Sequence, residues 1–160
     1  MKKIGITFFA ALLMLACIGP LPDVPTLENV QIPTATGEEV FWNSSDYEGK
    51  PVLIVFMGSG CPWCHKTMPL LNEIVEKYGD KIEIVGAFVD QTPGPARDAA
   101  EEEQLKAKIL FNSGEVAEGF GVTGFPNAIL FDKNHRAVHI WDGYSPYFVD
   151  EFATQAKRVL

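Results

Sequence analysis

Cysteine and histidine each occur only three times in 160 residues. That scarcity excludes a disulfide-stapled scaffold, in which cysteine is dense. It also argues against a structural zinc, which takes about four Cys or His ligands, because no second Cys-x-x-Cys completes Cys61 and Cys64. Basic side chains are in deficit, 13 Lys and Arg against 21 Asp and Glu, for a net charge of −8. Such a surface repels phosphate backbones, so nucleic acid is not an expected partner. Repeats and low-complexity tracts are absent, and no apolar run comfortably spans a bilayer as a helix. What remains is 47% apolar and 11% aromatic residues, enough for one core and one globular domain.

The first residues differ from the rest. Lys2 and Lys3 precede an uncharged apolar run from Ile4 to Ala16 that ends at Cys17, the pattern of a secretory leader. Ordinary cleavage wants small residues one and three positions before the cut, and Met14 occupies the farther one. Met14-Leu15-Ala16-Cys17 instead resembles the lipobox of bacterial lipoproteins, which implies a leader over 1–16, a lipid anchor at Cys17 and an extracytoplasmic location. Without the leader the net charge is −10. The proline-rich stretch 17–26 reads as a tether, and 27–160 as the folded domain. With Cys17 acylated, Cys61 and Cys64 are the only thiols, and their spacing makes them partners.

Val30 to Ile32 and Glu39 to Trp42 flank Thr36-Gly37 and predict a short N-terminal hairpin. Pro51 to Met57, entered by the Gly49-Lys50-Pro51 turn, is a continuous apolar run of the kind buried on both faces of a sheet. Helical spacing then appears at Met68, Leu71, Val75 and Tyr78, with Gly79 as the expected C-terminal cap. Ile82 to Val89 predicts a second buried strand, parallel to the first through a right-handed βαβ connection. A helix is predicted over 96–108, its acidic residues Glu101 to Glu103 forming a solvated face. Short elements are predicted at 109–111 and 115–120, a hairpin over 127–131 and 137–141, and a C-terminal helix opened by Ser145-Pro146 and running to Leu160. The fold class is α/β: a central mixed sheet with helices on both faces.

The chemistry concentrates at Cys61-Pro62-Trp63-Cys64. Disulfide exchange needs one exposed thiolate to attack and a second thiol near enough to resolve the mixed disulfide. Two intervening residues at a helix start provide both, and free N–H groups with the positive dipole end favour the thiolate. Cys61, nearer the tip, is the expected nucleophile and Cys64 the resolving thiol. Pro62 suits the first helical position, whereas Pro69 removes a hydrogen bond farther along and predicts a kink.

The strand, the Cys-Pro-Trp-Cys helix and the later Val122-Thr123-Gly124-Phe125-Pro126 before a strand resemble thioredoxin-fold oxidoreductases. The N-terminal hairpin, Glu48-Gly49-Lys50-Pro51 and the insertion around 96–111 are similar to the TlpA and ResA type. The resemblance implies a cis proline at Pro126 facing the dithiol, with Phe125 and Pro126 toward substrate; Pro62 and Trp63 are further candidate substrate contacts, Trp63 being equally suited to shield the sulfurs or to face solvent. The resemblance also implies no cofactor beyond the redox-active Cys61–Cys64 pair. Partners would be extracytoplasmic protein thiols and disulfides, a redox partner protein, and the membrane through Cys17. This chain departs from the family at Gly60, at Val55 where a buried Asp is common, and at Thr67 where ResA-like members use Glu. The proton acceptor for Cys64 is then water or an acid such as Glu38 or Glu39.

The expected function is thiol-disulfide exchange as a reductase, with a role in cytochrome c maturation implied by the resemblance. The alternatives are a disulfide-forming oxidase and a non-catalytic thioredoxin-fold binding module. His65 also completes Cys-Pro-Trp-Cys-His, an attachment signature for c-type haem, but a buried strand leading into the motif does not suit a helical cytochrome. Otherwise His65 is a helix-surface residue that electrostatically favours the Cys61 thiolate. A peroxiredoxin reading is weaker, because Pro-x-x-x-Thr-x-x-Cys is absent around Cys61. His135 and His139 carry no expected chemical role.

Overall fold

The computed structural model describes residues 25–37 and 39–160. Residues 1–16, read from sequence as a leader, Cys17, and the expected tether as far as residue 24 lie outside the described residues. Pro25 and Thr26, the end of the stretch read as tether, are docked on the domain. The Pro25 carbonyl accepts from the Ala137 N–H, and Thr26 bridges Arg136.

Strand β3 (Val52–Met57) organises the molecule because all six of its residues are buried. Its alternation sends Leu53, Val55 and Met57 into one core, and Val52, Ile54 and Phe56 into another. Parallel to it runs β4 (Glu83–Phe88), which pairs in turn with β5 (Lys108–Leu110). Antiparallel to its other side runs β6 (Asn127–Phe131), followed by β7 (Ala137–Asp142). The five-stranded order is β5-β4-β3-β6-β7. Helices α1 (Pro62–Tyr78), α2 (Pro93–Glu102) and α4 (Phe148–Val159) bury their apolar residues in the first core. Helix α3 (Gly114–Gly119) and the hairpin of β1 (Gln31–Pro33) with β2 (Phe41–Asn43) bury theirs in the second. The thioredoxin-like α/β architecture, N-terminal hairpin and central insertion are those expected from the sequence.

Specific bonds fasten the hairpin to the domain. Trp42 stacks on Tyr47 and donates to Glu83 at 3.3 Å, while Lys108 Nζ donates to Glu39 and to the Tyr47 hydroxyl, both at 2.9 Å. The Ala35 N–H also bonds the Ile109 carbonyl, and the Phe111 N–H bonds that of Pro33.

Several element ends shift by a residue or two from expectation, and three of the differences have a clear physical reason. Helix α2 occupies 93–102 rather than 96–108, since Pro93 and Pro95 suit a first turn and Gln104 turns left-handed at φ 50°. Asn72 of α1 holds that turn, donating to the Gln104 carbonyl at 3.0 Å and accepting from the Lys106 N–H at 2.7 Å. Gly79 caps α1 in the right-handed region at φ −62° rather than left-handed. There a Cβ would lie 2.7 Å from the Val75 carbonyl oxygen, so close approach is the reason for glycine. Helix α4 starts at Phe148, after a Ser145 turn in which the hydroxyl accepts from the Tyr147 N–H.

Candidate functional site

At the C-terminal end of β3 the chain turns through Gly58 to Gly60 and enters α1. Cys61 is the N-cap: its Sγ accepts from the Cys64 N–H at 3.2 Å, and Pro62 follows at the start of the helix. A thiolate at Cys61 therefore meets a backbone donor and the positive end of the helix dipole. Cys61 is partly exposed and Cys64 is buried, and both are free thiols. Burial pushes the Cys64 thiol up to about 12, and a hydrogen bond to Cys61 together with the Cys61 and Asp90 charges push the same way.

Across the dithiol, the Phe125–Pro126 peptide is cis and the Phe125 carbonyl lies 3.6 Å from Cys61 Sγ. The structure thus brings together Cys61, Pro62, Cys64, Phe125 and Pro126 from segments far apart in sequence. Trp63 is 52% exposed, stacks on Tyr144 at 5.4 Å, and carries Lys66 Nζ 4.3 Å above its ring. The aromatic between the cysteines is therefore braced rather than free. Tyr144 was not legible in the sequence as a site residue.

Around Cys64 the surroundings are apolar. Val55, Met57 and Met68 share its core, and Thr67 donates to the Trp63 carbonyl at 2.9 Å. Of the two acids considered for the Cys64 proton, Glu38 lies outside the described residues. Glu39 binds Lys108 on the hairpin.

The turn before Cys61 is held by groups that the sequence did not single out. Asp90, just beyond β4, accepts from the Ser59 N–H at 2.9 Å and from its hydroxyl at 2.6 Å. The Ser59 carbonyl lies 2.8 Å from His65 Nε2, while His65 Nδ1 lies 2.9 Å from Glu103 Oε1. Those two bonds, with the Glu103 and Glu102 charges, hold the imidazolium above the ordinary histidine range despite partial burial. Glu103 is thus a partner of His65 and not a member of a solvated face. Both ring nitrogens of His65 are thus engaged. Among the described residues, His65, Glu102 and Glu103 form the one grouping of metal-type donors, and its shortest contact is a hydrogen-bonded ion pair. His135, at φ 58°, is buried and bonds the Tyr47 carbonyl through Nε2, while His139 packs on Trp141.

A mixed sheet of this order, with a Cys-Pro-Trp-Cys helix start facing a cis proline, defines a thioredoxin-fold protein bearing a dithiol with one sulfur partly exposed. More particularly, the chain belongs to the AhpC/TSA family, whose model matches residues 25–140. It is similar to the thiol-disulfide oxidoreductase ResA of Bacillus thuringiensis subsp. konkukian, 32% identical over 95 residues, covering 58% of this chain and 55% of that protein. The chain therefore spans little more than half the length of that relative. It also resembles the thiol-disulfide oxidoreductase YkuV of Bacillus subtilis, 28% identical over 125 residues, covering 71% and 84%. Among solved structures, a protein described as the thiol:disulfide interchange protein DsbE of Chlorobium tepidum superposes with a TM-score of 0.76 at 21% identity, covering 87% of this chain and 98% of that one. The exposed lipoprotein thioredoxin of Streptococcus pneumoniae gives 0.69 at 23%, covering 81% and 98%.

Proposed function

We propose that this protein is a thiol-disulfide oxidoreductase that reduces disulfides of extracytoplasmic proteins, with Cys61 as nucleophile and Cys64 as resolving thiol. The observation that carries the reading is the pair of unequal sulfurs: one partly exposed at a helix N-cap and fed by a backbone donor, the other buried and protonated one turn inside. The Cys61 thiolate attacks a client disulfide, forming a mixed disulfide and expelling one client thiolate, which takes a proton. The Cys64 thiolate then attacks Cys61 Sγ, releasing the second client thiolate and leaving a Cys61–Cys64 cystine. Two electrons pass to the client, and a dithiol redox partner protein restores the pair.

Once Cys61 is in the mixed disulfide, its charge and its hydrogen bond no longer oppose ionisation of Cys64; burial and the Asp90 charge remain. Since Val55 and Thr67 offer no base, water at the opened interface is the proton acceptor in this reading. Phe125 and Pro126, beside Cys61, and Pro62 and Trp63, on the helix tip, receive the client segment. The role in cytochrome c maturation implied by the resemblance belongs with the reductase direction. A peroxide-reducing activity is not favoured, because Gly58 stands where the Thr three residues before the cysteine would be. The lipobox supports attachment to a membrane through Cys17, and among the described residues no helix is long and apolar enough to cross one.

Reduction of insulin by the purified chain, with Cys61→Ser as control, tests the chemistry, and equilibration in dithiothreitol buffers tests the direction. The expected result is turnover lost in the variant and a two-electron transition near about −270 mV. Equal activity in both proteins would remove Cys61 from its role. A potential near about −120 mV would make the protein an oxidant instead.

A further inference from the structure

We propose that His65 is a positioning residue for the Cys61 thiolate: bridging the Ser59 carbonyl and the Glu103 carboxylate as an imidazolium, it locks the turn that presents the nucleophile and ties that turn to α2.

The donor count is the first support. A carbonyl and a carboxylate are both acceptors, whereas a neutral imidazole carries a single N–H. Only the doubly protonated ring satisfies 2.8 Å and 2.9 Å contacts on its two nitrogens. The second support is location. His65 lies just past the first turn of α1, where the helix dipole disfavours a cation. Glu103, with Glu102 at 4.0 Å, supplies the compensating charge. The third is Ser59, whose N–H and hydroxyl go to Asp90 and whose carbonyl goes to His65, so each of its polar groups is engaged. Ser59 lies two residues before Cys61, and the His65 N–H itself bonds the Cys61 carbonyl at 3.2 Å. The charged and titratable groups around the ring are Cys61 and Cys64 from α1, Asp98, Glu102 and Glu103 from α2 and its cap, and Asp90 through Ser59.

The inference rests on Cys61 being the attacking sulfur, though not on any client being reduced. It is tested on the full, reduced chain by the rate of Cys61 alkylation with iodoacetamide as a function of pH, the adduct being located by mass spectrometry. His65→Gln is expected to slow alkylation at about pH 6 by roughly threefold or more, and Glu103→Gln to act in the same direction by less. The double variant should be no slower than His65→Gln alone, because the two residues act as one unit. In the parent protein, nitrogen NMR of His65 should show both ring nitrogens protonated at about pH 6. Profiles that superimpose on the parent, or a lowered melting temperature with an unmoved profile, would overturn the proposal. Should His65→Gln fail to fold, the isosteric Glu103→Gln decides alone. Failure of the parent protein to reduce insulin, alongside an alkylation profile moved by His65→Gln, would count against the reductase reading and leave this one standing.

Discussion

At the level of single residues, the two sulfurs of one motif are chemically unequal because their surroundings are. Cys61 is served by a helix end, while Cys64 is fully buried in the core that also holds Val55, Met57 and Met68. His65, their neighbour, gives the site a pH dependence of defined sign. Its folded pKa is raised by the Ser59 and Glu103 bonds. The stability it contributes is therefore fully present below the unfolded value of about 6.5 and is lost as pH rises through the folded value. Glu103→Gln should lower the urea midpoint more at about pH 6 than at about pH 9. A difference that does not change with pH would refute the ion pair. The cysteines could be found by spacing alone. Ser59, Asp90 and Glu103 could not, because their bonds to the site span 31 and 38 residues of chain.

Among the elements, those with a strong local pattern were legible. Strand β3 is apolar at every position, α1 repeats its buried residues at three and four, and β6 with β7 flank an evident turn. Boundaries set by distant contacts were not legible. The end of α2 depends on Asn72, more than thirty residues earlier, which satisfies the backbone of the turn into β5. Asn72→Ala leaves the Lys106 N–H and the Gln104 carbonyl without that partner. It should cost on the order of 1 kcal/mol in urea unfolding. Amide exchange in 103–106 should also quicken, and an unchanged rate there would show that the turn stands without Asn72. The register of the hairpin against Glu83 and Lys108 was hidden for the same reason.

For the whole molecule, the leader and anchor are a reading of residues 1–17 alone. Mass spectrometry of the mature protein should find an acylated N-terminal Cys17, and an unmodified Met1 would refute it. The N-terminal segment also has a part in the folded body. Thr34 bridges Leu110 on the outer side of β5, and Pro25 with Thr26 pairs with the entry to β7. Unsatisfied strand borders invite pairing between copies of a chain. By laying its own backbone along one border and the mouth of the other, the polypeptide leaves less of each open to a second copy.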